Sequence, residues 1–198
     1  TAGDFFILDN SDEHWKALEY LRQWCGISRA LDVATGHFEI GSLLALDGEW
    51  QKIGAIRLLI GGQTSRGTSD AIRAAAEALD VSLAAERRTS DPFLRGLPAI
   101  VEAMRSGQIE VRVYRRKKFH AKCYITHSSL DVVGSAAMVG SSNFTRPGLT
   151  RNIELNVRFT GAEVRELQEW YNAHWEDAEP ATDELLEVLE RYAHVYSP

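Results

Sequence analysis

Two apolar runs that lack any polar alternation set what this chain can become. RALDVATG (29–36) and AIRLLIGG (55–62) are each strand-length, and both end in glycine. A strand that is apolar on both faces needs cover on both faces, which is the habit of strands joined by crossover helices. Between them, residues 39–50 carry Ile40, Leu43, Leu44 and Leu46 at helical spacing. Two further helical patterns follow. The first has Thr68 or Ser69 as cap and an inner face of Ile72, Ala75, Ala76, Leu79 and Leu83. The second starts at Asp91-Pro92 and presents Leu94, Leu97, Val101 and Met104. Upstream, DFFIL (4–8) reads as a short strand, and Ser11 as the cap of a helix over 12–25.

After residue 105 the texture changes. IEVRVY (109–114), FHAKCYI (119–125), DVVGSAAMVGSS (131–142) and NIELNVRF (152–159) read as consecutive strands. Two helices close the chain, over 161–175 with Val164, Leu167, Tyr171 and Trp175, and over 181–195 with Leu185, Leu189 and Tyr192. The order predicts an α/β protein, a mixed β-sheet with helices on both faces. With 198 residues, residues 1–198 suit one domain with one core. GGQTSRGTSD (61–70) is the best loop candidate, and it is no phosphate-binding P-loop because no Gly-Lys-Ser/Thr follows.

No apolar run approaches the roughly 20 residues that span a bilayer. The first ten residues lack the charged-then-apolar pattern of a signal peptide. Cys25 and Cys123 both sit in apolar patterned segments, so no disulfide framework and a reduced, cytoplasmic setting are expected. No His/Cys cluster suggests a metal, and no cofactor is called for. The net charge of −6 argues against a generally basic surface. Locally the sign reverses: Arg105, Arg112, Arg115, Arg116, Lys117, Lys118 and Lys122 face Glu110 alone between residues 105 and 122. Such a run is usually a solvated edge, but it can attract a polyanion.

It leads straight into FHAKCYIT (119–126). Residues two apart on a strand share a face, so His120 and Lys122 project together. Burying the lysine alone would cost several kcal/mol, so the pair belongs in a cleft or against an anion. GSSNFT (140–145) puts Ser141, Ser142 and Asn143 in a small turn after an apolar strand, suited to phosphate oxygens or to nothing more than a turn. Eleven residues on comes Glu154, in a stretch where Asn152, Glu154 and Asn156 alternate with Ile153, Leu155 and Val157. A carboxylate on that polar face could orient the His120 ring.

Together, His120-Ala121-Lys122, Gly140-Ser141-Ser142-Asn143 and Glu154 resemble the phospholipase D superfamily. DVATGHFEIGSLLAL and GSSNFTRPGL look most like its nuclease branch, found N-terminal to helicases or in metal-independent restriction enzymes. The resemblance runs from about Asp32 to Val157 and implies an αβα sandwich. It also implies a metal-independent phosphodiesterase working through a phosphohistidine. In that scheme His120, Lys122, Ser141, Asn143 and Glu154 are catalytic, and Arg115, Arg116, Lys117, Lys118 and Ser142 hold the nucleic acid, DNA by preference and not a membrane. The family's site uses two copies of the motif. This chain has one, so the resemblance implies a homodimer. One position departs: the motif's acid, five residues after the lysine, falls on His127, with Asp131 further on in a loop. Its role would pass to Glu154, or the chain would be a DNA-binding or dimerisation module of a larger enzyme. A methyltransferase, suggested by LDVATG (31–36), is weaker, because His37 and Phe38 stand where cofactor-approach glycines would, and His120 and Asn143 would have no role.

Overall fold

In the computed structural model, residues 6–11, 16–61, 68–87 and 92–194 are described. Eight strands form one sheet: β1 (Ile7–Leu8), β2 (Ser28–Thr35), β3 (Ala55–Gly61), β4 (Ile109–Tyr114), β5 (Lys122–Ser128), β6 (Ser135–Gly140), β7 (Asn156–Thr160) and β8 (Glu179–Pro180). The spatial order is β1-β7-β6-β5-β2-β3-β4-β8. The two opening apolar runs, β2 and β3, pair in parallel, and β4 extends them in parallel. Every other neighbour is antiparallel. The sheet is thus the mixed one that the sequence pattern predicts.

The helices among the described residues are α1 (Ala17–Cys25), α2 (Ile40–Ala45), α3 (Thr68–Arg87), α4 (Pro92–Arg105), α5 (Arg146–Thr150), α6 (Ala162–Glu176) and α7 (Thr182–His194), with a 3-10 turn at Trp50–Lys52. One face of the sheet, through Leu31, Val33, Leu58, Val111 and Met138, packs on residues of α1 to α5 and α7. The opposite face, through Ala34, Leu59, Ile125 and Ala137, packs on Val164, Tyr171 and Trp175 of α6. Cover on both sides explains why β2 and β3 are largely apolar on both faces, with Asp32 and Arg57 paired to each other as exceptions.

Several sequence-based boundaries move. The helix expected over 39–50 ends at Ala45, and its remainder is the 3-10 turn. The strand expected over 119–125 starts only at Lys122, the one over 131–142 is Ser135–Gly140, and the one over 152–159 starts at Asn156. A polar/apolar alternation in residues 152–157 suggested a strand with its apolar face inward. Instead Ile153 and Leu155 are exposed, at 74% and 61%, while Asn156 is fully buried. The cause is the side-chain amide of Asn156, which donates to the Leu8 carbonyl and to Ser142 Oγ, both at 2.9 Å, and accepts from the Ser142 N–H at 3.2 Å. A carboxamide that answers three buried groups is worth more inside than a leucine is. The first part of DFFIL, the helix start before Lys16, the loop 62–67, the caps proposed at Thr68, Ser69 and Asp91, and the inner-face roles of Ile72 and Leu94 fall outside the described residues and side chains.

Both cysteines are buried and free. Burial pushes each thiol up to about 12, so neither is a ready nucleophile. No helix among the described residues is long and apolar enough to cross a membrane.

Candidate phosphate site at one edge of the sheet

Strand register gathers the motif residues. Thr35, the last residue of β2, lies opposite Lys122, the first of β5. Cys123 pairs with Val139 near the end of β6, and Gly140, the last residue of β6, pairs with Asn156, the first of β7. Two strands end and two begin along one edge of the sheet, so the loops 35–39, 115–121, 141–145 and 151–155 converge there. Gly140 is required by this closeness, since a Cβ there would collide with the Leu155 carbonyl and the Asn156 backbone.

His120 and Lys122 do come together. His120 stands just before β5, exposed, while Lys122 is 7% exposed. The Lys122 ammonium lies 2.8 Å from His120 Nδ1 and 3.2 Å from Nε2, and donates to the His120 carbonyl at 2.9 Å. An ammonium can only donate, so the ring nitrogen it faces must be an unprotonated acceptor. The charges agree. Lys122 first, then burial, then Lys118 hold the His120 imidazole below its ordinary value. Burial lowers the Lys122 ammonium, and the Glu154 carboxylate partly offsets this.

Ser141 and Glu154 also meet. The Ser141 hydroxyl donates to Glu154 Oε2 and accepts from the Leu155 N–H at 3.0 Å. Glu154 lies before β7 and not on it, held through its own N–H to the Asp9 carbonyl at 3.1 Å. No hydrogen bond or ion pair joins Glu154 to His120 among the described residues. The carboxylate acts on Ser141 and, through space, on Lys122.

Asn143 is oriented by residues that sequence reasoning passed over. Its Oδ1 accepts from the His37 backbone N–H at 3.1 Å and lies 3.4 Å from Thr35 Oγ1. A backbone N–H can only be met by the oxygen of the amide, so the Nδ2 end is left to face away from the 35–37 loop. Thr35 is the hub. It is fully buried, and its hydroxyl donates to the His37 carbonyl at 2.7 Å and accepts from the Phe144 N–H at 3.0 Å. Gly36 lets the loop close on the histidine, because a Cβ there would lie 3.0 Å from His120 Cδ2. The sequence signal for this loop was LDVATGHF, and its hydrogen-bond partners Asn143 and Phe144 lie more than a hundred residues away.

The remaining candidates separate into engaged and free. Ser142 is fully buried, its N–H and hydroxyl bound to Asn156 and its carbonyl accepting from Tyr124 OH at 2.8 Å. It shapes the turn and offers nothing to a ligand. Arg115 pairs with Glu179, and Arg116 with Asp177 at 2.8 Å. Arg112 stacks on Trp175, 4.7 Å from the ring centroid, and donates to its carbonyl. Lys117 and Lys118 are exposed and have no ion pair among the described residues. The basic run is thus half consumed by the fold.

His127 is a strand residue, half-buried in the sheet. It lies on β5, on the α6 face of the sheet, with Nε2 3.1 Å from Asp32 Oδ2 and Nδ1 3.3 Å from Ser135 Oγ. Asp32 is bound at both oxygens by Arg57, at 2.6 Å each, and by Gln168 at 2.9 Å. Burial alone would raise this carboxyl, but the Arg57, His127 and Gln168 hydrogen bonds outweigh it and hold it below its ordinary value. The position five residues after Lys122 on β5 is thus a histidine, and a carboxylate, that of Asp32, stands beside it on β2. Asp131 is exposed in the turn that follows β5. No group of three or more His, Cys, Asp or Glu among the described residues could hold a metal ion.

The profile of a family described as cardiolipin synthase, PLD-like domain, matches residues 43–175. The chain therefore belongs to that phospholipase D-like family. Among solved structures it is similar to a phospholipase D family member, Nuc, from Salmonella typhimurium, at 14% identity and TM-score 0.54, over 88% of this chain and 95% of that one. It is also similar to phosphatidylserine synthase from Haemophilus influenzae Rd KW20, at 11% identity and TM-score 0.54, over 96% of this chain but 45% of that one. Polyphosphate kinase from Porphyromonas gingivalis is a third, at 9% identity and TM-score 0.51, with 98% and 29% covered. At such identities these likenesses establish the fold, which is the αβα arrangement expected from the motifs. No curated protein sequence matches the chain closely enough to count as a relative.

Thr35→Val keeps the shape but removes the hub, leaving the Phe144 N–H unpaired at about 1–3 kcal/mol. If Asn143 holds a phosphate oxygen, the variant loses about 10- to 100-fold in kcat with little change in KM, and Thr35→Ser restores most of it. Steady-state cleavage kinetics on the three proteins check this, and an unaltered kcat in Thr35→Val would remove Thr35 as a positioning residue.

Proposed function

We propose that this chain is a metal-independent phosphodiesterase whose substrate is DNA, and that its working form is a homodimer. The observation that carries the chemistry is the neutral His120 imidazole held against the Lys122 ammonium. A phosphodiester repels anionic nucleophiles, whereas an unprotonated imidazole carries no charge and keeps a lone pair. In the free protein the ammonium occupies that lone pair. An arriving phosphate oxygen competes for the ammonium and releases the ring. The nitrogen attacks phosphorus, the bond to the leaving oxygen breaks, and that oxygen takes a proton from an acid. Water then cleaves the phosphohistidine and returns the free imidazole. Lys122, the Asn143 Nδ2 and the Ser141 region meet the charge on the phosphoryl oxygens. Glu154 keeps Ser141 oriented and balances Lys122.

The acid must come from somewhere, and the family resemblance supplies it as His120 of a second copy. Exposed apolar side chains support that geometry. Ile153 and Leu155, 74% and 61% exposed, flank Glu154. Apolar surface beside a half-complete site is what a twofold partner would cover. DNA as substrate is favoured by exposed Lys117 and Lys118 leading into His120. The larger setting, in which this domain serves a helicase or restriction enzyme, belongs to the same proposal. A purely DNA-binding module is the second reading, and the absence of an acid at position 127 is what favours it.

Wild type is expected to nick plasmid or cut single-stranded DNA with EDTA present, and His120→Ala to lose this while still binding DNA. Cleavage by neither protein, with or without magnesium, favours the binding module. Because Lys118 is one of the charges that depress the His120 imidazole, Lys118→Gln should raise it. The acid limb of the rate profile then moves to higher pH, and an NMR titration of the ring protons follows the same shift. A limb that stays put would detach it from His120. Light scattering should give twice the chain mass for wild type, and Ile153→Ser with Leu155→Ser should give monomers that no longer cleave; a monomeric wild type that cuts DNA rules out the shared site.

A further inference from the structure

Gly36 does more than admit the His120 ring. It also forms the inner end of a cavity of about 460 Å³ that runs between the 36–39 loop and α3. That volume is within the roughly 300–1,000 Å³ of ligand pockets. Phe38 from the loop and Ala78 from α3 both line it, and Phe38 is stacked on Phe144 at 5.9 Å between ring centroids. The polar groups that line it include His37 and the carboxylates of Glu39, Glu77 and Glu86, and no Lys or Arg lines it among the described residues. His37 lies 3.6 Å from Glu39, and Glu86 lies 3.5 Å from Arg146. Glu77 has no ion pair among the described residues and is exposed.

This chemistry differs from that of the phosphate site. An acidic lining repels a phosphate, so a sugar–phosphate chain cannot run through the cavity. Apolar side chains with carboxylate acceptors beside them instead suit a flat ring that carries N–H donors. We infer that the cavity takes the base of a nucleotide next to the scissile phosphate, and prefers bases with an exocyclic amine (adenine, cytosine or guanine) over thymine. The shared Gly36 puts phosphate and base on two sides of one backbone turn. Phe38 would offer its apolar surface to the ring, and Glu77 would accept from the amine. The charge pattern then gives a division of labour: Lys117, Lys118 and Lys122 hold the backbone, and the acidic cavity sorts the bases. This inference rests on the phosphodiesterase reading for its substrate, but it can be tested apart from cleavage.

The probes are short single-stranded homopolymers of dA, dC and dT, and one whose sugars carry no base. Their binding to His120→Ala protein is followed by fluorescence anisotropy. The dA and dC strands should bind roughly tenfold tighter than the dT and baseless strands, about the worth of one hydrogen bond. Ala78→Phe in the same background fills the cavity and should abolish the difference, with its fold checked by circular dichroism and melting temperature. Glu77→Ala, at an exposed helix position, is the second variant and should narrow the difference without filling anything. Equal binding of all strands, or an intact preference in both variants, overturns the inference. So does displacement of the dA strand by phosphoethanolamine as readily as by deoxyadenosine monophosphate, which would mark the cavity as a site for a cationic head group. A protein with the base preference but no cleavage by wild type keeps the cavity and removes the phosphodiesterase reading.

Discussion

The antiparallel pairing of β2 with β5 is the constraint on which the site depends. It sets Thr35 opposite Lys122, and with β6 and β7 it brings the ends and beginnings of four strands to one edge of the sheet. A slip of β2 by one residue would turn Thr35 toward α6 while Lys122 kept its face, and the two would part. The hydrophobic faces forbid that slip, because Leu31 and Val33 must meet one helical layer while Ala34 meets the other. The packing of the core therefore fixes the polar geometry at this edge, and the core residues Tyr124 and Phe144 take part in it through their bonds to Ser142 and Thr35.

Around that edge, charge is distributed by solvent access. Lys122 is buried against the His120 imidazole and carbonyl, and the Glu154 carboxylate acts on it through space without a direct ion pair among the described residues. Arg115 and Arg116 are answered by acids near the end of α6 and in β8, and their charge is spent on joining the two. An acidic protein can in this way keep a small region of positive potential without a basic surface.

Much of this was legible in the sequence, because the informative contacts there were local. His120 and Lys122 are two residues apart, and the Gly-Ser-x-Asn turn is continuous, so spacing alone exposed them. The two apolar runs 29–36 and 55–62 gave away the parallel core, since strands covered on both faces cannot alternate. What escaped were contacts across the chain. Thr35 looked like the end of a buried strand, and nothing near it in sequence announces that it holds Asn143. Asn156 looked like one tooth of a polar face, and only the proximity of Leu8 and Ser142 explains why it is buried while Ile153 and Leu155 are not. Arg115 and Arg116 looked free because Asp177 and Glu179 are some sixty residues away.

The contact of Asp32 with His127 has a consequence for the sheet itself. The two side chains stand on neighbouring strands and share the α6 face with Arg57 and Gln168, so one carboxylate ties β2, β3, β5 and α6 together. A second carboxylate at position 127 would crowd Asp32 around the same guanidinium. The network therefore joins the parallel half of the sheet to its antiparallel half by charge as well as by backbone pairing.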